Sequence, residues 1–145
     1  MAIDERLDGY AFEDLEEGMS AVISKTVTEA DIVLYAGVSM DTNPLHLDEA
    51  YASGTRFGGR IAHGMLGAGL ISALLGTRLP GPGAIYVSQS LRFKAPVRIG
   101  DTLVAEVTVI GLDPERTRAR LATQVHVGET IVIDGEAELL VPSRS

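Results

Sequence analysis

IAHGMLGAGLISALL, Ile61 to Leu75, is a run of helix length with no formally charged side chain unless His63 is protonated. A helix lying on a surface has a polar face of its own, and here only His63 and Ser72 are not apolar. The run reads as a long helix buried on every side, so a sheet must wrap it. It also contains Gly64, Gly67 and Gly69. A glycine inside a helix costs about 1 kcal/mol relative to alanine, so close approach of a strand or a ligand has to offset these three. At about 15 residues the run is shorter than the roughly 20 that cross a bilayer, and no membrane partner is expected.

Upstream of the run, Gly58 and Gly59 mark a flexible approach, and the short helix EAYAS is capped by Asp48 and ended by Gly54. Before that stands DTNPLH, residues 41–46, read as a loop because a proline drives the preceding residue, Asn43, out of the helical region. Thr28 with Asp31 has the spacing of a helix N-cap box, which starts a helix at Glu29 that runs to about Val38. Ser20 to Thr26 is rich in β-branched residues and reads as a strand; residues 1–19 read as an irregular acidic arm.

Downstream, TRLPGPG is a turn cluster, and from Ala84 the period becomes two. Ile85, Val87, Gln89, Leu91 and Phe93 share one face of a strand. Leu103, Ala105, Val107 and Val109 point inward on the next, and Ala119, Leu121, Thr123, Val125 and Val127 on the third. Ile131, Ile133, Ala137, Leu139 and Val141 do so on the last. For odd residues of the last two strands to share a face, the hairpin needs an odd loop, most simply Gly128-Glu129-Thr130, and Arg120 then faces Glu138. The expectation is an α+β fold in which a curled antiparallel sheet of about five strands wraps one long buried helix. Its open edges and flank call for a second copy of the chain, in a homodimer or a dimer of dimers.

The 145 residues fit a single domain spanning 1–145. Twelve Lys and Arg against 20 Asp and Glu give a net charge of -8, which argues against a nucleic-acid partner. The absence of cysteine excludes disulfides, thiolate metal sites and a cysteine nucleophile. With no apolar core in MAIDERLDGYAF, a cytoplasmic location is expected.

Asp41 and His46 are a carboxylate and an imidazole in a stretch punctuated by proline. On a helix, five residues apart, they would point about 140° away from each other; in a loop bent at Asn43-Pro44 they can converge on one water and move its protons near neutral pH. The bland alternative has Asp41 capping a turn, Asn43 bonded to backbone and His46 structural. His63-Gly64 opens the buried helix, where unpaired amides and the positive dipole end can hold an oxyanion. Packing alone for Gly64, and a capping or turn role for His63, stand beside that reading. Ser72 can bond the carbonyl four residues back. His46, His63 and His126 show no recognisable metal-ligand spacing, so no metal is expected.

The stretches TVTEADIVLYAG, DTNPLHLDEAYA, IAHGML with Ser72, LPGPGAIYVSQSLRFKAPVRIGDTL and the closing strands resemble the MaoC-like hot-dog family, and within it the (R)-specific enoyl-CoA hydratases. The resemblance covers nearly everything after about Phe12. It implies that Asp41 and His46 are the catalytic pair, that the Gly64 amide holds the thioester oxygen, and that Ser72 helps orient the pair. Asn43, Met65 and Ala68 join the substrate-binding candidates, with late-strand side chains lining the acyl pocket. The reaction implied is (R)-specific hydration of trans-2-enoyl-CoA to (R)-3-hydroxyacyl-CoA. The coenzyme A thioester is the substrate and no cofactor is required. Arg56, Arg60, Arg92, Lys94 and Arg98 are candidates for its phosphates, though for any one of them solvated surface charge is the stronger reading. Alternatives are a dehydratase of carrier-protein thioesters or of a branched or dicarboxylic acyl-CoA, a non-catalytic acyl-thioester-binding subunit, and a thioesterase on the same fold.

Overall fold

A computed structural model describes residues 9–144. Thr28 accepts from the Asp31 amide and Asp31 accepts from the Thr28 amide, so the N-cap box opens α1 (Glu29–Ser39) where the spacing placed it. Met40, left-handed at φ 66°, ends it. Pro44 sits at the first position of α2 (Pro44–Leu47), with Asn43 accepting from the Leu45 amide as its cap. Residues 41–46 are therefore not loop throughout, and His46 is helical, because Asn43 stays extended and lets proline start a helix. Asp48 caps α3 (Glu49–Ser53) through the Tyr51 amide.

α4 (Gly64–Thr77) is the long run. Ile71, Leu74 and Leu75 are fully buried, each stabilising by about 1.5–3 kcal/mol, and the helix packs on β1, β4, β5 and β6. It is not buried all round. Met65 is 52% exposed, and Gly69, Ser72 and Gly76 continue the same stripe at helical spacing. The sheet reaches only one side of the helix, and among the described residues this stripe on the other side stays exposed.

Among the described residues the sheet has six strands rather than about five: β1 (Ser20–Thr26), β2 (Ile85–Gln89), β3 (Arg92–Phe93), β4 (Thr102–Asp113), β5 (Arg118–Val127) and β6 (Thr130–Leu140). Their order is β1-β4-β5-β6-β2, all antiparallel, with β3 also on β6. Curled around α4, this is the α+β hot-dog fold. The core stripe is as read on β4, from Leu103 to Val109, and on β5 from Ala119 to Val125.

Three local readings are corrected. The strand from Ala84 breaks at Ser90 and Leu91 into β2 and β3, and Ile85 (59% exposed), Val87 and Phe93 are not buried, because β2 is the last strand of the sheet. The β5-β6 loop has two residues, Gly128 and Glu129, Gly128 supplying φ 55°. Parity is restored further on: Val125 pairs Ile133 and His126 pairs Ile131, leaving Val132 as a bulge whose carbonyl accepts from the Lys94 amide. Val132 is consequently buried and Ile131 37% exposed. Beyond the bulge Arg120 does face Glu138 in register, but Glu138 forms its ion pair with Arg118, at 3.1 Å, and Arg120 with Glu136, at 3.8 Å.

Candidate active site

Asp41, at the end of α1, and His46, on α2, line one cleft of about 380 Å³ with the start of α4. Its walls include Arg56, Phe57, Met65, Phe93, Lys94, Leu103 and Ile133. Asp41 is exposed, and its carboxylate accepts from the Asn43 amide, at 3.3 Å. His46 is buried, and its Nδ1–H donates to the Ile61 carbonyl at 2.8 Å. That bond fixes the neutral tautomer and leaves Nε2 as the ring's proton acceptor.

The segment 60–63 braces both residues. Arg60 Nε donates to the His46 carbonyl at 2.6 Å, while its guanidinium grips Glu29 in two bonds and holds that carboxyl below its usual pKa. Ile61 N–H donates to the Leu45 carbonyl. His63 Nε2–H donates to the Asp41 carbonyl at 2.9 Å, and the ring stacks on His46 with centroids 4.0 Å apart. Burial first, opposed by the Asp41 carbonyl and reinforced by His46, lowers the His63 pKa, so the ring is neutral.

Gly64 begins α4, whose first-turn amides have no carbonyl inside the helix and no side-chain cap. A Cβ on Gly64 would lie 2.7 Å from the Phe93 ring, and one on Gly67 2.9 Å from Ile133 Cδ1. Both glycines therefore admit close neighbours, as their cost in a helix required, whereas Gly69 meets nothing.

The other candidates divide. Met65 lines the cleft and also a second groove of about 460 Å³, where Ala68 and Ser72 meet Tyr86, Val87, Ser88, Gln89 and Leu91. Ser72 does not line the cleft with Asp41 and His46: eight residues along α4 carry it about 12 Å from Gly64. Asn43 is a helix cap. Of the cations, Arg56 and Lys94 line the cleft, Lys94 paired with Asp134. Arg60 is occupied by Glu29 and His46, Arg98 donates to the Phe57 carbonyl, and Arg92 stands outside the cleft lining.

Sequence spacing did not bring His63 to Asp41 and His46, yet one donor atom of each lies within 4.8 Å of the other two. A cation there would draw on the Asp41 carboxylate and one nitrogen of each ring. Each ring already has one nitrogen bonded to a carbonyl, which leaves one nitrogen apiece beside the Asp41 carboxylate. The set suits proton handling. His126 lies elsewhere, bonded to the Gly128 carbonyl.

Residues 12–132 match the family model described as MaoC like domain. The chain is 60% identical over 144 residues to an (R)-specific enoyl-CoA hydratase of Rhodospirillum rubrum, covering 99% of each. To a 3-hydroxybutyryl-CoA dehydratase of Methylorubrum extorquens it is 55% identical over 133 residues, covering 92% of this chain and 85% of that one. Among solved structures, the (R)-hydratase from A. caviae involved in PHA biosynthesis superposes with a TM-score of 0.87 at 45% identity, over 90% of this chain and 99% of that one. The motif that places Asp41 and His46, the wrapped helix and these likenesses have one consequence: the chain belongs to the MaoC-like family.

Proposed function

We infer that the protein is an (R)-specific enoyl-CoA hydratase, a hydro-lyase that adds water across a trans-2-enoyl-CoA to give the (R)-3-hydroxyacyl-CoA. The observation that carries this is the convergence of Asp41, His46 and the first turn of α4 on one cleft, in a chain 60% identical to a hydratase of that name. Named relatives that hydrate and dehydrate agree with one reversible reaction.

Water adds its oxygen to C3. As the C3–O bond forms the water O–H bond breaks, Asp41 taking the proton while His46 holds the water through Nε2; that same proton then passes by way of His46 to C2, so both groups return to their starting state. Charge gathering on the thioester oxygen is met by the Gly64 amide and the positive end of α4. The acyl chain lies against Met65, Leu103 and Ile133 on the cleft wall, and Arg56 and Lys94 are the cations nearest for the coenzyme A phosphates. Nothing in this scheme calls on a metal or redox group. Both relatives just cited are named for coenzyme A substrates, which favours that carrier over a carrier protein.

A second copy of the chain completes the molecule as a homodimer: the exposed stripe of α4 and the open edge of β2 leave Met65, Ile85, Tyr86 and Val87 uncovered. No helix of the described residues is long and apolar enough to cross a membrane. We place the reaction in the cytoplasm, in fatty-acid breakdown or supplying hydroxyacyl-CoA for polyester synthesis; the A. caviae relative is described as involved in PHA biosynthesis.

The test follows loss of enoyl absorbance from crotonyl-CoA and octenoyl-CoA, with chiral analysis of the product. The expected result is the (R)-alcohol, with Asp41→Asn and His46→Ala each lowering kcat by about 10²–10⁴-fold while remaining folded. An inert wild-type protein, or variants as active as wild type, would overturn the reading.

A further inference from the structure

Asp41 follows a residue in the left-handed conformation, and its own bonds are mostly local: its amide donates to Ser39 Oγ and its carboxylate accepts from Asn43. Among the described residues, its hydrogen bond from a distant part of the chain is the one His63 Nε2–H gives its carbonyl, at 2.9 Å. The same ring lies flat on His46 at 4.0 Å and is backed by Tyr35, centroids 4.7 Å apart. His63 is 2% exposed, and among the described residues its Nδ1 has no hydrogen-bond partner. An unmet buried acceptor costs about 1–3 kcal/mol, so a leucine or phenylalanine of similar volume would satisfy packing alone. A histidine is needed where one N–H and one ring face act at once.

We propose that His63 is a positioning residue for hydration, setting the Asp41 backbone through Nε2–H and the His46 ring plane through stacking, and thereby fixing the distance between the two groups that handle protons. It rests on the hydratase reading above. Being neutral, His63 adds no second charge beside His46 when that ring is protonated in turnover.

The experiment compares His63→Gln, which keeps an N–H near the Asp41 carbonyl, with His63→Phe, which keeps the ring face, and His63→Ala, which keeps neither. Steady-state hydration of crotonyl-CoA across pH is the readout, with folded fraction checked by circular dichroism. A misplaced catalytic group costs on the order of 10²-fold. His63→Ala is therefore expected to lose about that factor in kcat with KM within about threefold, and each of the two half-variants to recover part of it. The kcat pH profile should shift in His63→Phe, which loss of folded protein alone would not produce. Wild-type kcat in folded His63→Ala, or equal losses in all three variants with an unchanged pH profile, would overturn the proposal. A wild type that does not hydrate would instead overturn the hydratase reading. Nitrogen-15 imidazole NMR of the wild type needs no variant: His63 should be the Nε2–H tautomer at neutral pH, and an Nδ1–H tautomer refutes the assigned bond.

Discussion

Gly64 sets how much room the cleft has beside the first amide of α4. Its φ is not positive, so alanine is compatible with the backbone, but the new methyl would lie 2.7 Å from Phe93, a ring 53% exposed and free to swing out. Helix propensity gains up to about 1 kcal/mol from the same change. Gly64→Ala is thus expected to melt within a few degrees of wild type while kcat/KM for crotonyl-CoA falls about tenfold or more, and a substituted enzyme of unchanged kcat/KM would remove Gly64 from the site. His63 makes a second prediction. An unfolded chain protonates this ring near pH 6.5, whereas burial in the fold, among Asp41, His46 and Tyr35, holds it neutral to lower pH. The unfolded state then binds more protons, so this contribution is complete above about pH 6.5 and is lost as pH falls towards the folded pKa. Thermal melts from pH 7.5 to 5 should show a steeper fall for wild type than for His63→Gln; parallel curves would mean the ring titrates normally.

α4 and β6 meet where Gly67 admits Ile133 Cδ1, which a Cβ would approach to 2.9 Å. Overpacking of this kind costs about 1–3 kcal/mol, and Ile133→Val alone about 0.5–1.5 kcal/mol. Combined, the valine removes the very atom that clashes, so the double variant should be more stable in urea than the sum of the two by about 1 kcal/mol or more. Strictly additive effects would show that Gly67 is retained for another reason. The glycines of α4 were legible as demanding a close neighbour, since helix propensity says so directly. Which neighbour was not legible: Phe93 is distant in sequence, and a Cβ on Gly69 would meet nothing within 4 Å among the described residues.

For the molecule as a whole, the uncovered stripe of α4 and the edge strand β2 form the surface a second copy would cover. Val87→Lys places a charge in the groove shared by these two elements. Wild type is expected to sediment at twice the chain mass and the variant to shift towards the monomer; a monomeric wild type would leave the stripe without its assigned partner. This surface explains why an all-apolar run misled on one point. Apolar character records that a face is removed from water in the working assembly, and does not record whether its own sheet or another chain covers it.

Local chemistry in the sequence determined where α1 and α3 begin, through Thr28, Asp31 and Asp48. It also determined the inward stripes of β4 and β5, and it offered Asp41 and His46 as a candidate pair, which the resemblance to the MaoC-like family then singled out. These follow from capping, period and residue type, which act over a few residues. Tertiary structure alone decided the rest. Arg60, Ile61 and His63 reach back to Asp41 and His46 across 14 to 22 residues. A bulge at Val132 exchanged the faces of Ile131 and Val132 without any sequence marker. Ser72 was carried along α4 into a different groove from the pair. Such placements depend on how elements pack, and packing is a property of surfaces brought together from distant parts of the chain, which no local pattern encodes.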